Sequence, residues 1–157
     1  MKTLDFTQVN TNTATGVAKE LQLLLADFQV FYTNLRGFHW NIKGRGFYQL
    51  HEAYEKMYDS TADKVDEVAE RILMLGDTPK HNFSDYLKTS QITETGVMSN
   101  GDEIAGLILD SLKVLIAQER KTLEIASEGG DEATVALMSD FISEQEKDIW
   151  MLSSYLS

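Results

Sequence analysis

Residues Gly46–Leu75 read GFYQLHEAYEKMYDSTADKVDEVAERILML, and two periodicities run through them. Leu50, Tyr54, Met57, Thr61, Val65, Val68, Ile72 and Leu75 recur at three- and four-residue steps, the spacing of one buried helix face. His51, Glu55, Asp66 and Glu70 fall on another face. At ~100° per residue they share an arc of roughly 100°, centred about 130° from the apolar stripe. These four side chains therefore point away from the helix's own core. Glu55 and Asp66 stand about 16 Å apart along the axis, too far to share one ion. A metal bound by the whole set needs a second copy of the helix, running antiparallel against the first. The midpoint, Ser60 and Thr61 followed by Ala62, is small enough for close approach at a two-fold axis. The competing reading is a solvated polar face, the ordinary fate of charges on an exposed helix.

The flanking sequence supplies three more long helices. Upstream, from about Thr15 to Trp40, Leu21, Leu25, Phe28, Tyr32 and Leu35 form one stripe, with Leu24, Phe31 and Phe38 beside it. Asn41–Gly46 breaks this helix with two glycines, and Gly76 and Pro79 end the next. A connection of about 25 residues follows, from Gly76 to Asn100, long for a structureless loop. Phe83–Lys88 predicts a short helix inside it. Asn100 caps the third long helix, with Asp102 and Glu103 in its first turn. Its core positions are Ile104, Ile108, Leu112, Leu115 and Leu123, up to Gly129 and Gly130. The fourth runs from about Asp131 to Leu156 through Val135, Met138, Ile142, Gln145, Ile149 and Leu152. Two hairpins joined by a long crossover predict an all-α, ferritin-like four-helix bundle. A short extra helix lies in the crossover between helices two and three. The expectation is a single domain over 1–157, with 1–14 as an N-terminal tail.

Composition narrows the chemistry. The 157 residues include no cysteine, so thiolate sites and disulfides are excluded and a metal must take imidazole and carboxylate. Lys and Arg number 14 against 25 Asp and Glu, a net charge of −11 that opposes binding to phosphates. No secretory leader or bilayer-length apolar run is visible, so a cytoplasmic protein with no membrane partner is expected. Of the three histidines, His81 reads as surface. His39 continues the spacing of Leu35, which admits a packing role beside the metal-binding one. No Glu-x-x-His motif occurs, so the inward-facing di-iron ligand set of ordinary ferritins is absent.

The segments Phe38-His39-Trp40-Asn41-Ile42-Lys43-Gly44, Phe47-x-x-Leu50-His51-Glu52-x-x-Glu55 and Asp63-x-x-Asp66-x-x-Ala69-Glu70-Arg71 together resemble the Dps family of miniferritins. The chain length, the long crossover and the Ile149-Trp150-Met151-Leu152 ending agree. The resemblance implies a hollow homododecamer that binds ferrous iron between subunits, oxidises it with hydrogen peroxide and stores ferric mineral inside. It implies His39, His51 and Glu55 as metal ligands from one subunit, Asp66 and Glu70 from its two-fold partner, and Trp40 as a catalytic neighbour that intercepts stray oxidising equivalents, plain packing being the other reading of Trp40. Asp131, Glu132 and Asp140 are candidates for an acidic entry pore, helix capping being the other explanation of the first two. Glu144, Glu146 and Asp148 are candidates for an acidic inner wall. Relatives that condense DNA use lysine-rich tails. Here Lys2 stands alone before Lys19, so DNA binding is not expected, and a nucleoid protein with secondary iron chemistry is the alternative.

Overall fold

The computed structural model describes residues 2–157. Its elements are α1 (Leu4–Thr7), α2 (Thr11–Asn41), α3 (Phe47–Met74), α4 (Phe83–Thr89), α5 (Gly101–Glu128) and α6 (Glu132–Tyr155), with no strand among the described residues. The predicted bundle with its crossover helix is present. Antiparallel α2 and α3 form one hairpin and α5 and α6 the other, while α4 lies against α2.

Three of the four long helices, α2, α5 and α6, start where a side chain satisfies orphan backbone donors. Asn10 accepts from the amides of Asn12 and Thr13, Asn100 from those of Asp102 and Glu103, and Asp131 from that of Thr134. The first cap corrects the expected tail. Residues 11–14 belong to α2, Ala14 is buried, and a short helix occupies Leu4–Thr7.

The core is the meeting of the four apolar stripes. Leu21, Leu24, Leu25, Phe28 and Leu35 of α2 face Tyr54 and Ile72 of α3 and Ile104, Ile108, Leu112 and Leu115 of α5, all essentially inaccessible. Burying each such side chain contributes about 1.5–3 kcal/mol. Edge-on aromatic contacts fix the register, Phe28 to Phe141 at 5.9 Å and Phe38 to Tyr54 at 6.5 Å between centroids.

Polar residues also enter this core. Lys64 is 5% exposed; its Nζ donates to Ser60 Oγ at 2.6 Å and to Glu144 Oε2 at 2.7 Å. Ser60 in turn donates to Glu144 Oε1, and Thr61 is buried with its hydroxyl on the Met57 carbonyl. Ser60 and Thr61 are thus committed to their own bundle. Of the small residues at the midpoint of α3, only Ala62 faces outward. No helix among the described residues is long and apolar enough to cross a membrane.

Candidate metal centre

The turn between α2 and α3 builds the centre. Gly44 and Gly46 adopt φ of 89° and 80°, which fold the chain back within a few residues. His39, near the end of α2, thereby meets His51 in the first turns of α3. The rings stack with centroids 3.7 Å apart and planes 17° from parallel. Nδ1 of His39 lies 2.7 Å from the carbonyl of His51, and Nδ1 of His51 lies 2.8 Å from the carbonyl of His39. A carbonyl can only accept, so both Nδ1 atoms carry their protons and donate. In the neutral rings the lone pairs then sit on the two Nε2 atoms, the ligand tautomer for a metal. The pairing also serves the backbone, because the His39 carbonyl belongs to the last turn of α2, where intrahelical donors run out.

Aromatic rings hold the pair from both ends. Phe47 stacks on His51 at 5.0 Å and 22°, and Tyr58 meets His39 edge-on at 5.3 Å. The Tyr58 hydroxyl is 3.5 Å from Glu55 Oε1. Burial, and then the carboxylates of Glu55 and Asp59, push this phenol above the ordinary tyrosine range. Neither ring is assigned a role in the site by the sequence alone. Their spacing from His51, four residues before and seven after, places them on its flank of the helix.

His39 is 7% exposed, whereas Glu55, Asp66 and Glu70 all lie on the exposed face of α3. Neither Asp66 nor Glu70 takes part in an ion pair among the described residues. His51 and Asp66 stand about 22 Å apart along the helix. Within one copy, and among the described residues, no three His, Asp or Glu side chains come within reach of a common ion. The structure therefore joins His39 to His51, sets Glu55 one turn away and leaves Asp66 and Glu70 at the far end. Trp40 is 63% exposed, with the Arg36 guanidinium 4.6 Å above its ring.

The pore candidates divide. Asp131 is withdrawn, because it is 2% exposed, caps α6 through Thr134 and pairs with Arg71 at 2.6 Å. Glu132 and Asp140 remain exposed. On the candidate inner wall, Glu144 is neutralised by Lys64 and Glu146 by Arg120. Asp148 is pushed upward by burial and by Glu144.

The ferritin-like domain family matches residues 18–157. A DNA protection during starvation protein from Porphyromonas gingivalis is 50% identical, over 98% of this chain and 97% of its own length. Among solved structures, a Dps protein from Vibrio cholerae superposes with a TM-score of 0.93 at 46% identity, covering 95% of this chain and 94% of its own. It is described as one of the ferritin-like diiron-carboxylate proteins. Dps from Staphylococcus aureus gives a TM-score of 0.86 at 32% identity, over 90% and 95% of the two chains. Matches of this extent, over the bundle and the histidine turn together, make the chain a member of the Dps family of ferritin-like proteins.

Proposed function

We propose that the protein oxidises ferrous iron and retains the ferric product, at sites assembled from two copies within a hollow dodecamer. His39, His51 and Glu55 come from one subunit, and Asp66 and Glu70 from a partner whose α3 runs antiparallel. The observation that carries this reading is the reciprocal histidine pair. A histidine that only packs in a core has both ring nitrogens satisfied, whereas here each Nδ1 is tied to the other residue's carbonyl and each Nε2 is left with its lone pair for a metal. Imidazole holds the ferrous ion, and hard carboxylate oxygen stabilises the ferric product. Hydrogen peroxide is the proposed oxidant. Two ferrous ions each give one electron, the O–O bond takes both with two protons, and two waters leave without hydroxyl radical.

The test is peroxide-driven iron oxidation followed by ferric absorbance. Replacing His51 or Glu70 with Ala is expected to slow it at least tenfold while the assembly keeps its size. Unchanged rates in both variants would end this reading.

The name carried by several relatives points to DNA protection. Applied to this chain, protection runs through removal of iron and peroxide rather than through a DNA complex, because a net charge of −11 is repeated in every copy. A gel shift at low salt is expected to show free DNA at micromolar protein. A tight, salt-sensitive complex would favour the nucleoid-binding alternative.

A further inference from the structure

The oxidisable rings around the candidate centre differ in their electrostatic surroundings. Trp40 follows His39 in sequence, but its side chain turns outward beneath Arg36, whose guanidinium carbon lies 4.6 Å from the ring centroid. A cation over a π face is attracted to the electron-rich neutral ring, so it opposes removal of an electron from that ring. Tyr32 carries the same guanidinium at 5.4 Å. Tyr58 has the reverse environment. Its ring meets His39 edge-on at 5.3 Å, and its hydroxyl is 3.5 Å from the carboxylate of Glu55. Catalytic hydrogen bonds of this length tighten when a site is loaded. Tyr32, the second ring under that guanidinium, meets Tyr58 edge-on at 6.0 Å, on a contact separate from the one Tyr58 makes with His39.

We propose that Tyr58, rather than Trp40, is the one-electron donor of this centre, acting when peroxide meets a single ferrous ion. The proposal rests on the ferroxidase reading above. The ferrous ion supplies one electron and becomes ferric. The phenol supplies the second, passes its proton to Glu55 and becomes a phenoxyl radical. The O–O bond of peroxide breaks as it accepts both electrons. With that proton and one from solvent, it leaves as two waters. Without the phenol, a lone ferrous ion delivers one electron and releases hydroxyl radical. Glu55 thereby gains a role besides metal binding, as acceptor of the phenol's proton.

Freeze-quench electron paramagnetic resonance on the assembled protein tests this, with less than one ferrous ion per site and excess peroxide. The wild type is expected to give a tyrosyl radical. The signal should vanish in Tyr58→Phe, which keeps the ring against His39, and persist in Trp40→Phe. Spin-trapped hydroxyl radical should rise severalfold in Tyr58→Phe alone. Ferric iron formed in the wild type without a tyrosyl signal overturns the proposal and leaves the ferroxidase reading standing. A signal that survives Tyr58→Phe, or that disappears in Trp40→Phe, overturns it as well. A wild type that oxidises no iron sinks both.

Discussion

Glu119 of α5 is inaccessible to solvent, and its Oε1 accepts from Gln145 Nε2 of α6 at 2.5 Å. The outer atoms of the two groups, Glu119 Oε2 and Gln145 Oε1, are both buried without partners. Both are acceptors, and protonation turns Glu119 into a donor. Burial pushes the Glu119 carboxyl up to about 7, against the opposing pull of Gln145, Lys64 and Arg120. The sign follows from proton counting. Between the ordinary value of 4.5 and about 7 the unfolded chain has lost this proton and the folded chain keeps it, so stability falls as pH rises through that window. The loss is about 3 kcal/mol in order of magnitude. Glu119→Gln supplies a permanent N–H at the same place. It is expected to flatten the pH slope and to stabilise the protein at pH 8 by roughly 1–3 kcal/mol. Urea unfolding of both proteins at pH 5 and pH 8 measures this, and equal slopes would contradict it.

At the scale of elements, α3 and α6 are joined by an ion pair that neither helix displays alone. Arg71, near the end of α3, donates to Thr134 Oγ1 at 2.9 Å and to Asp131 Oδ1 at 2.6 Å, and Asp131 also caps α6. Burial opposes the charge on Asp131, but the bonds from Thr134 and Arg71 prevail and hold its carboxyl below the ordinary range. Its stabilising effect is therefore in place above ordinary carboxyl pH and is lost as acid protonates it. Asp131→Ala should cost roughly 3–5 kcal/mol, since it strands a mostly buried guanidinium and uncaps a helix. Asp131→Asn keeps a capping oxygen and should cost less. Thermal unfolding at neutral pH ranks the two.

The same pair marks the boundary of what sequence discloses. The cap at Asp131 is legible, because a helix start is a local event. The partner Arg71 is 60 residues away and becomes a neighbour only through packing. The outward aim of Glu55, Asp66 and Glu70 is legible because helix periodicity fixes angle without knowledge of the fold. The crossed hydrogen bonds of His39 and His51 are not, since they depend on how Gly44 and Gly46 close the turn. Lys64 reads as surface by residue type, yet it sits beside the core positions Thr61 and Val68 and is buried by Glu144, 80 residues on. Thr61 was legible as core, a position that conflicts with the two-fold contact expected of Ser60 and Thr61. The core assignment prevailed.

For the whole molecule, the division of the site makes a prediction that no single-chain enzyme shares. One copy holds His39 and His51 at one end of α3 and Asp66 and Glu70 about 22 Å further along it. On the proposed antiparallel pairing, a two-fold interface would hold two equivalent sites, each with histidines from one chain and acids from the other. A His39→Ala/His51→Ala chain and an Asp66→Ala/Glu70→Ala chain should each form inactive assemblies. When the two are unfolded, mixed and reassembled, a mixed pair joins the sound histidines of one chain to the sound acids of the other. Its second site combines both sets of lesions and stays dead. Random mixing in equal amounts gives mixed pairs at half of the interfaces, so peroxide-driven iron oxidation should return to about a quarter of the wild-type rate. Ferric absorbance after reassembly reads this directly, with size-exclusion chromatography to verify the shells. Mixed assemblies as inactive as their parents would mean that each chain needs its own histidines and acids together. The antiparallel pairing of α3 would then be the wrong geometry for this protein.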